Sequence, residues 1–167
     1  MLQLTQKERM LLQDQQKHEQ ICIEKYTNYA NQAQDPQLKQ LFQSYAQQEQ
    51  SHLDTINQLL NGQIPNLNQQ GQNQAQSPSG QGNQANPTSM SQNPSVMQGA
   101  MGSESDAALC NDMLMTEKYV SNAYDTAIFE FTDANVRQVL NHIQKEEQQH
   151  GEGIFNYMNS NGMYNPQ

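Results

Sequence analysis

Two short motifs carry most of the chemistry in this sequence: Glu49-x-x-His52 and Glu147-x-x-His150. A step of three residues sets carboxylate and imidazole side by side on one face of a helix. Each motif is preceded by a further acid, Glu19 and Glu117. All six residues fall on stripes that helical periodicity marks as buried. An unpaired carboxylate is costly to ionise away from water, and four together raise one another's pKa. The set makes sense around something cationic. Four carboxylates offset two divalent ions, and two imidazoles supply nitrogen donors that such ions accept. A single E-x-x-H is a weak signal, but two copies on buried stripes, each following a core-facing Glu, form a strong one. The alternative is a helical core whose acids pair with His, Gln or buried water and hold no ion.

The elements that must position these groups are legible. Thr5-Gln6-Lys7-Glu8 is a capping box. After it Leu11, Gln15, Glu19, Cys22, Tyr26, Ala30 and Ala33 share one face. Asp35-Pro36 starts a second helix with a cap and a proline at the first turn. Its stripe runs Leu38, Leu41, Phe42, Tyr45, Glu49, His52, Leu53, Ile56, Leu59 and Leu60, and Asn61-Gly62 stops it. The second half repeats the pattern. Ser103-Glu104-Ser105-Asp106 opens a helix with Cys110, Met113, Glu117, Val120, Tyr124, Ala127, Ile128 and Phe131 on one face. Asp133 caps the next, with Val136, Val139, Leu140, Ile143, Glu147, His150, Ile154, Tyr157 and Met158, and Asn161-Gly162 ends it.

The two halves align without a gap: the shift that lays Leu11 on Leu109 also lays Glu19 on Glu117, Tyr26 on Tyr124, Asp35 on Asp133, Glu49 on Glu147 and His52 on His150. The spacing therefore predicts an all-α chain, with helical hairpins over 1–62 and 104–162, forming one four-helix bundle, and a short tail over 163–167. Bundles of this kind that hold two iron or manganese ions take one Glu from each of two helices and one E-x-x-H from each of the others. Two Fe or Mn ions held by Glu19, Glu49, His52, Glu117, Glu147 and His150 are the expectation, with Glu49 and Glu147 shared between them. Tyr26 and Tyr124 share faces with Glu19 and Glu117 and are candidates to hydrogen-bond the ligands; the alternative is a pair of ordinary core tyrosines. Glu24, His142 and Glu146 fall off the stripes and read as solvated, and Asp14 and Asp112 as surface residues. Cys22 and Cys110 read as small buried residues.

Composition bounds the rest. The 167 residues include 30 Gln and 18 Asn, only 34% are hydrophobic, and the net charge is −9. So acidic a chain is a poor partner for nucleic acid or an anionic membrane surface. No apolar run approaches the roughly 20 residues of a membrane span, and the first residues lack the apolar core of a secretory signal. Between Asp54 and Glu104 there is no Asp, Glu, Lys or Arg, and Pro65, Pro78, Pro87 and Pro94 interrupt a Gln/Asn/Gly/Ser-rich run. Residues 63–103 thus read as a disordered crossover, with some capacity for self-association.

The stretches Thr116-Glu117-Lys118-Tyr119 to Phe131, Asn135 to Gly151 and Tyr157 to Tyr164 resemble the spore coat F family of endospore-forming bacteria, over roughly residues 105 to 165. The first hairpin, through Ala33 to Phe42, is similar to the partner half in clostridial members. The resemblance implies a ferritin-like four-helix bundle with one long crossover. It also implies a structural place in the spore coat among other coat proteins, reached from the mother-cell cytoplasm without a signal peptide. The ferritin-like ligand pattern falls on the same six Glu and His residues. The Cys knuckles that feed electrons to rubrerythrins are missing, which puts a self-contained peroxidase in doubt. A dinuclear-metal oxidoreductase of peroxidase, catalase or oxidase type, acting in the spore, is the alternative function.

Overall fold

The computed structural model describes residues 2–66 and 95–164, with side chains in the second stretch from residue 104 onward. Four helices make it up: α1 (Gln6–Gln32), α2 (Pro36–Leu60), α3 (Ser95–Glu130) and α4 (Ala134–Ser160). No strand occurs among the described residues. Helices α1 and α2 form one hairpin and α3 and α4 the other; α1 lies against α3 and α2 against α4, which closes a four-helix bundle.

The expected caps are present. Thr5 and Glu8 form the reciprocal capping box at the start of α1. Asp35 accepts from the Gln37 amide at 2.8 Å, and Asp133 from the Asn135 amide at 2.7 Å. At the C-termini of α2 and α4, Gly62 and Gly162 adopt φ of 78° and 66°. That left-handed turn lets the amides of Gln63 and Met163 reach back to the carbonyls of Gln58 and Met158.

Two boundaries differ from the sequence reading. Helix α3 is described from Ser95, inside the run assigned to the crossover. The last proline of that run is Pro94, and Val96, Met97, Gln98, Ala100 and Met101 tolerate a helix. The rest of the expected crossover, from residue 67 to residue 94, lies outside the described residues. In α1 the buried leucine is Leu12, whereas Leu11 is half-buried. Both fit the period within one residue, and Leu12 is the one that joins the core cluster.

Two buried acids, Glu8 and Asp106, tie the hairpins together, each only 2% exposed. They occupy matching positions of the repeat. Glu8 accepts from the Thr132 amide at 2.9 Å and its hydroxyl at 3.0 Å, in the turn between α3 and α4. Asp106 accepts from the amides of Gln34 and Asp35, both at 2.9 Å, in the turn between α1 and α2. Each hairpin thus caps the other's turn. Burial favours the neutral form of Glu8, but the amides of Thr132 and Thr5 outweigh it and hold the carboxyl below its usual range. Hydrogen bonds to buried charges contribute about 1.5–3 kcal/mol each to stability. Glu8→Ala and Asp106→Ala should therefore each cost about 2–3 kcal/mol, read as a lower urea midpoint. Asp112→Ala breaks only the part-exposed Lys25 pair and the Tyr29 bond and should cost about 1 kcal/mol or less.

Candidate metal centre

Helical repeats of three and four bring one acid from each helix to the middle of the core: Glu19 from α1, Glu49 from α2, Glu117 from α3 and Glu147 from α4. All are at most 2% exposed. His52 and His150, one turn beyond Glu49 and Glu147, complete the layer, with their rings stacked 5.7 Å apart. The structure brings all six sequence candidates together. They fall into two overlapping groups, Glu19, Glu49, His52 and Glu147, and Glu49, Glu117, Glu147 and His150. Within each group one ligand atom per residue lies within 4.8 Å of every other. Glu49 and Glu147 belong to both groups.

The contacts around each imidazole are lopsided. His52 Nδ1 faces three acids: Glu147 Oε1 at 2.9 Å, Glu49 Oε2 at 3.1 Å and Glu19 Oε2 at 3.6 Å. His150 Nδ1 faces Glu49 Oε1 at 3.1 Å, with Glu117 Oε1 and Glu147 Oε2 both at 3.7 Å. One N–H cannot satisfy three carboxylates. Accordingly Glu19 Oε2, Glu117 Oε2 and both oxygens of Glu147 are buried without a hydrogen-bond partner. Glu147 Oε1 is close to His52 Nδ1 in distance but not aligned to accept from it. Orphaned carboxylate oxygens among imidazole nitrogens fit a divalent cation, which accepts several oxygens at once.

The outward ring nitrogens are also held. His52 Nε2 donates to Glu146 Oε2 at 2.9 Å, and His150 Nε2 donates to Gln48 Oε1. A proton fixed on Nε2 leaves Nδ1 free to face the centre, as metal-binding histidines require. Each partner sits just before the E-x-x-H acid of the opposite hairpin. Glu146 is therefore not solvated, as its place off the stripe had suggested. Its target is a histidine on another helix, which no single-helix pattern reveals. The one available signal was its repeat: Gln48 and Glu146 occupy matching positions.

Tyr26 donates to Glu117 Oε1 and Tyr124 donates to Glu19 Oε1. Each tyrosine serves the acid of the other hairpin rather than its own. The Tyr45 ring lies 4.3 Å from that of His150, and Gly153 makes room for it: a Cβ there would lie 1.8 Å from the Tyr45 hydroxyl. Asp112 takes a surface role, binding Lys25 and Tyr29 between α1 and α3. Cys22 and Cys110 are buried and free. Burial, reinforced at Cys22 by the surrounding acids, pushes both thiols up and keeps them protonated.

Residues 105–167 match the family model described as the Coat F domain. Over that stretch the chain is similar to the Coat F family. No curated protein matches the chain, and no solved structure does. The Coat F domain contains Glu117, Glu147 and His150, whereas Glu19, Glu49 and His52 lie outside it. Neither four-residue group can therefore form from the Coat F domain alone.

Charge balance in the metal-free core follows from the surroundings. Burial, then the charge on Glu147, pushes Glu19 well above its usual pKa, and burial does the same to Glu117. Burial works against ionisation of Glu49 and Glu147 too, but bonds from the two imidazoles prevail and hold both low. Burial opposes charge on His52 and His150, yet the facing carboxylates raise both well above the usual range. Stability from the raised groups is present at low pH and is lost as pH climbs through their folded values. Stability from the lowered pair is present above the unfolded carboxyl value of about 4.5 and is lost as pH falls. The stripped protein should be most stable at mildly acidic pH, and its melting temperature should drop between about pH 6 and about pH 9. A melting temperature that rises steadily over that span, measured by calorimetry in chelator, would contradict the buried cluster.

Proposed function

We propose that the protein is a component of the bacterial spore coat whose bundle holds two divalent metal ions, iron or manganese by donor type. The Coat F domain supports the location. The observation that carries the metal reading is the pair of four-residue groups sharing Glu49 and Glu147, with carboxylate oxygens left orphaned between them. Glu19 and His52 complete one position, Glu117 and His150 the other. Among the described residues no helix is long and apolar enough to cross a membrane. Contacts with other coat proteins would fall on outer faces, where Ile21, Met115 and Tyr119 stand half or more exposed along α1 and α3.

A catalytic reading rests on Tyr26 and Tyr124, buried phenols bonded to the Glu117 and Glu19 carboxylates. Bound iron or manganese would supply electron transfer to dioxygen or peroxide. The chain's own part is to hold the ions in a buried core, fix the imidazoles through Glu146 and Gln48, and keep the phenol O–H groups of Tyr26 and Tyr124 donating to the ligand carboxylates.

Protein purified from its native host should contain about two Fe or Mn per chain by elemental analysis. Glu49→Ala and Glu147→Ala should each abolish both ions, because each acid is shared. Glu19→Ala should abolish one. A folded wild-type protein free of metal under iron- and manganese-replete growth would overturn the metal reading. A tagged copy absent from purified spore coats would overturn the location.

A further inference from the structure

A groove of about 750 Å³ runs along the outer face of α3 and α4, and its lining reaches Glu117 and Glu147. Both belong to the group completed by His150. Asp125 and Glu152 line it too, and both are exposed. Its walls include Gly151 and Ser121. A Cβ built on Gly151 would meet nothing within 4 Å.

The internal repeat shows what makes room here. The alignment that lays Glu49 on Glu147 lays Leu53 on Gly151 and Ile23 on Ser121. On the first hairpin both matching positions carry branched apolar side chains, half-buried. On the second they carry no side chain and a hydroxymethyl. The imidazole contacts break the symmetry in the same sense. His52 is backed by the charged Glu146, whereas His150 is backed by the neutral Gln48. A carboxylate partner makes an imidazole a stronger donor than an amide partner does.

We infer that this groove is the port through which divalent cations enter the bundle, arriving first at Glu117, Glu147 and His150 and passing inward to the position completed by Glu19 and His52. The inference rests on the metal reading above. The two positions are then unequal: an outer one that exchanges with solvent and an inner one, backed by Glu146, that retains its ion. Lys118 lines the groove as well, but Asp125 and Glu152 outnumber it, and the net negative mouth raises the local concentration of cations.

The test uses chelator-stripped full-length protein and Co(II), followed by its visible absorbance. Wild type should load in two phases. Gly151→Leu restores the residue of the first hairpin, in open space and with a better helix former. It should slow loading about tenfold, because entry then waits on local opening, while the cobalt bound at equilibrium stays the same. Ser121→Ile, on the opposite wall, should act in the same direction. Asp125→Asn with Glu152→Gln should slow the first phase and flatten its salt dependence. Unchanged loading rates in both wall variants would overturn the port while leaving the metal site intact. Wild type that binds no cobalt at all would overturn both.

Discussion

Placing four carboxylates in one buried layer of a bundle is the constraint on which the rest of this structure depends. Ionised together without counter-charge they would drive the helices apart. The histidines do not resolve this fully, since each Nδ1 faces more acids than it has protons. What surrounds the layer can be read as a response. Tyr26 and Tyr124 each donate to an acid, Glu146 and Gln48 hold the outer edges of the imidazoles, and apolar residues such as Leu12, Phe42, Met113, Leu140 and Ile154 are fully buried within the same core.

Nearly every such device crosses between hairpins. Tyr26 serves Glu117, Glu146 serves His52, Glu8 caps the turn at Thr132 and Asp106 the turn at Gln34. A hairpin alone would carry three buried acids, one histidine and an uncapped turn. The repeat is therefore not two modules laid side by side but two halves of one core, and the match to the Coat F domain falls only on the second of them.

The sequence makes the parts governed by one helix readable. The capping box at Thr5, the proline start at Pro36, the stops at Gly62 and Gly162 and the six Glu and His residues all follow from spacing within a segment. What escaped depends on which helix comes to lie opposite. Leu12 rather than Leu11 is buried, a choice that the period of α1 alone leaves open. Asp106 looked like one more acid in a first turn, yet it caps a turn far away in the chain. Glu146 sits off its own stripe because its partner is on α2. The start of α3 was missed for another reason: glycine and serine between Pro94 and Glu104 weighed more in a compositional reading than the absence of a further proline.

The protonation pattern of the buried layer has a consequence for what lies outside the molecule. Burial and the neighbouring acids hold Glu19 and Glu117 toward the neutral form, and the facing carboxylates hold both imidazoles toward the protonated one. A divalent ion needs ionised carboxylates and neutral imidazoles at the atoms it binds. Loading of the layer would therefore release protons to the surroundings, and the ions would be held more firmly as pH rises.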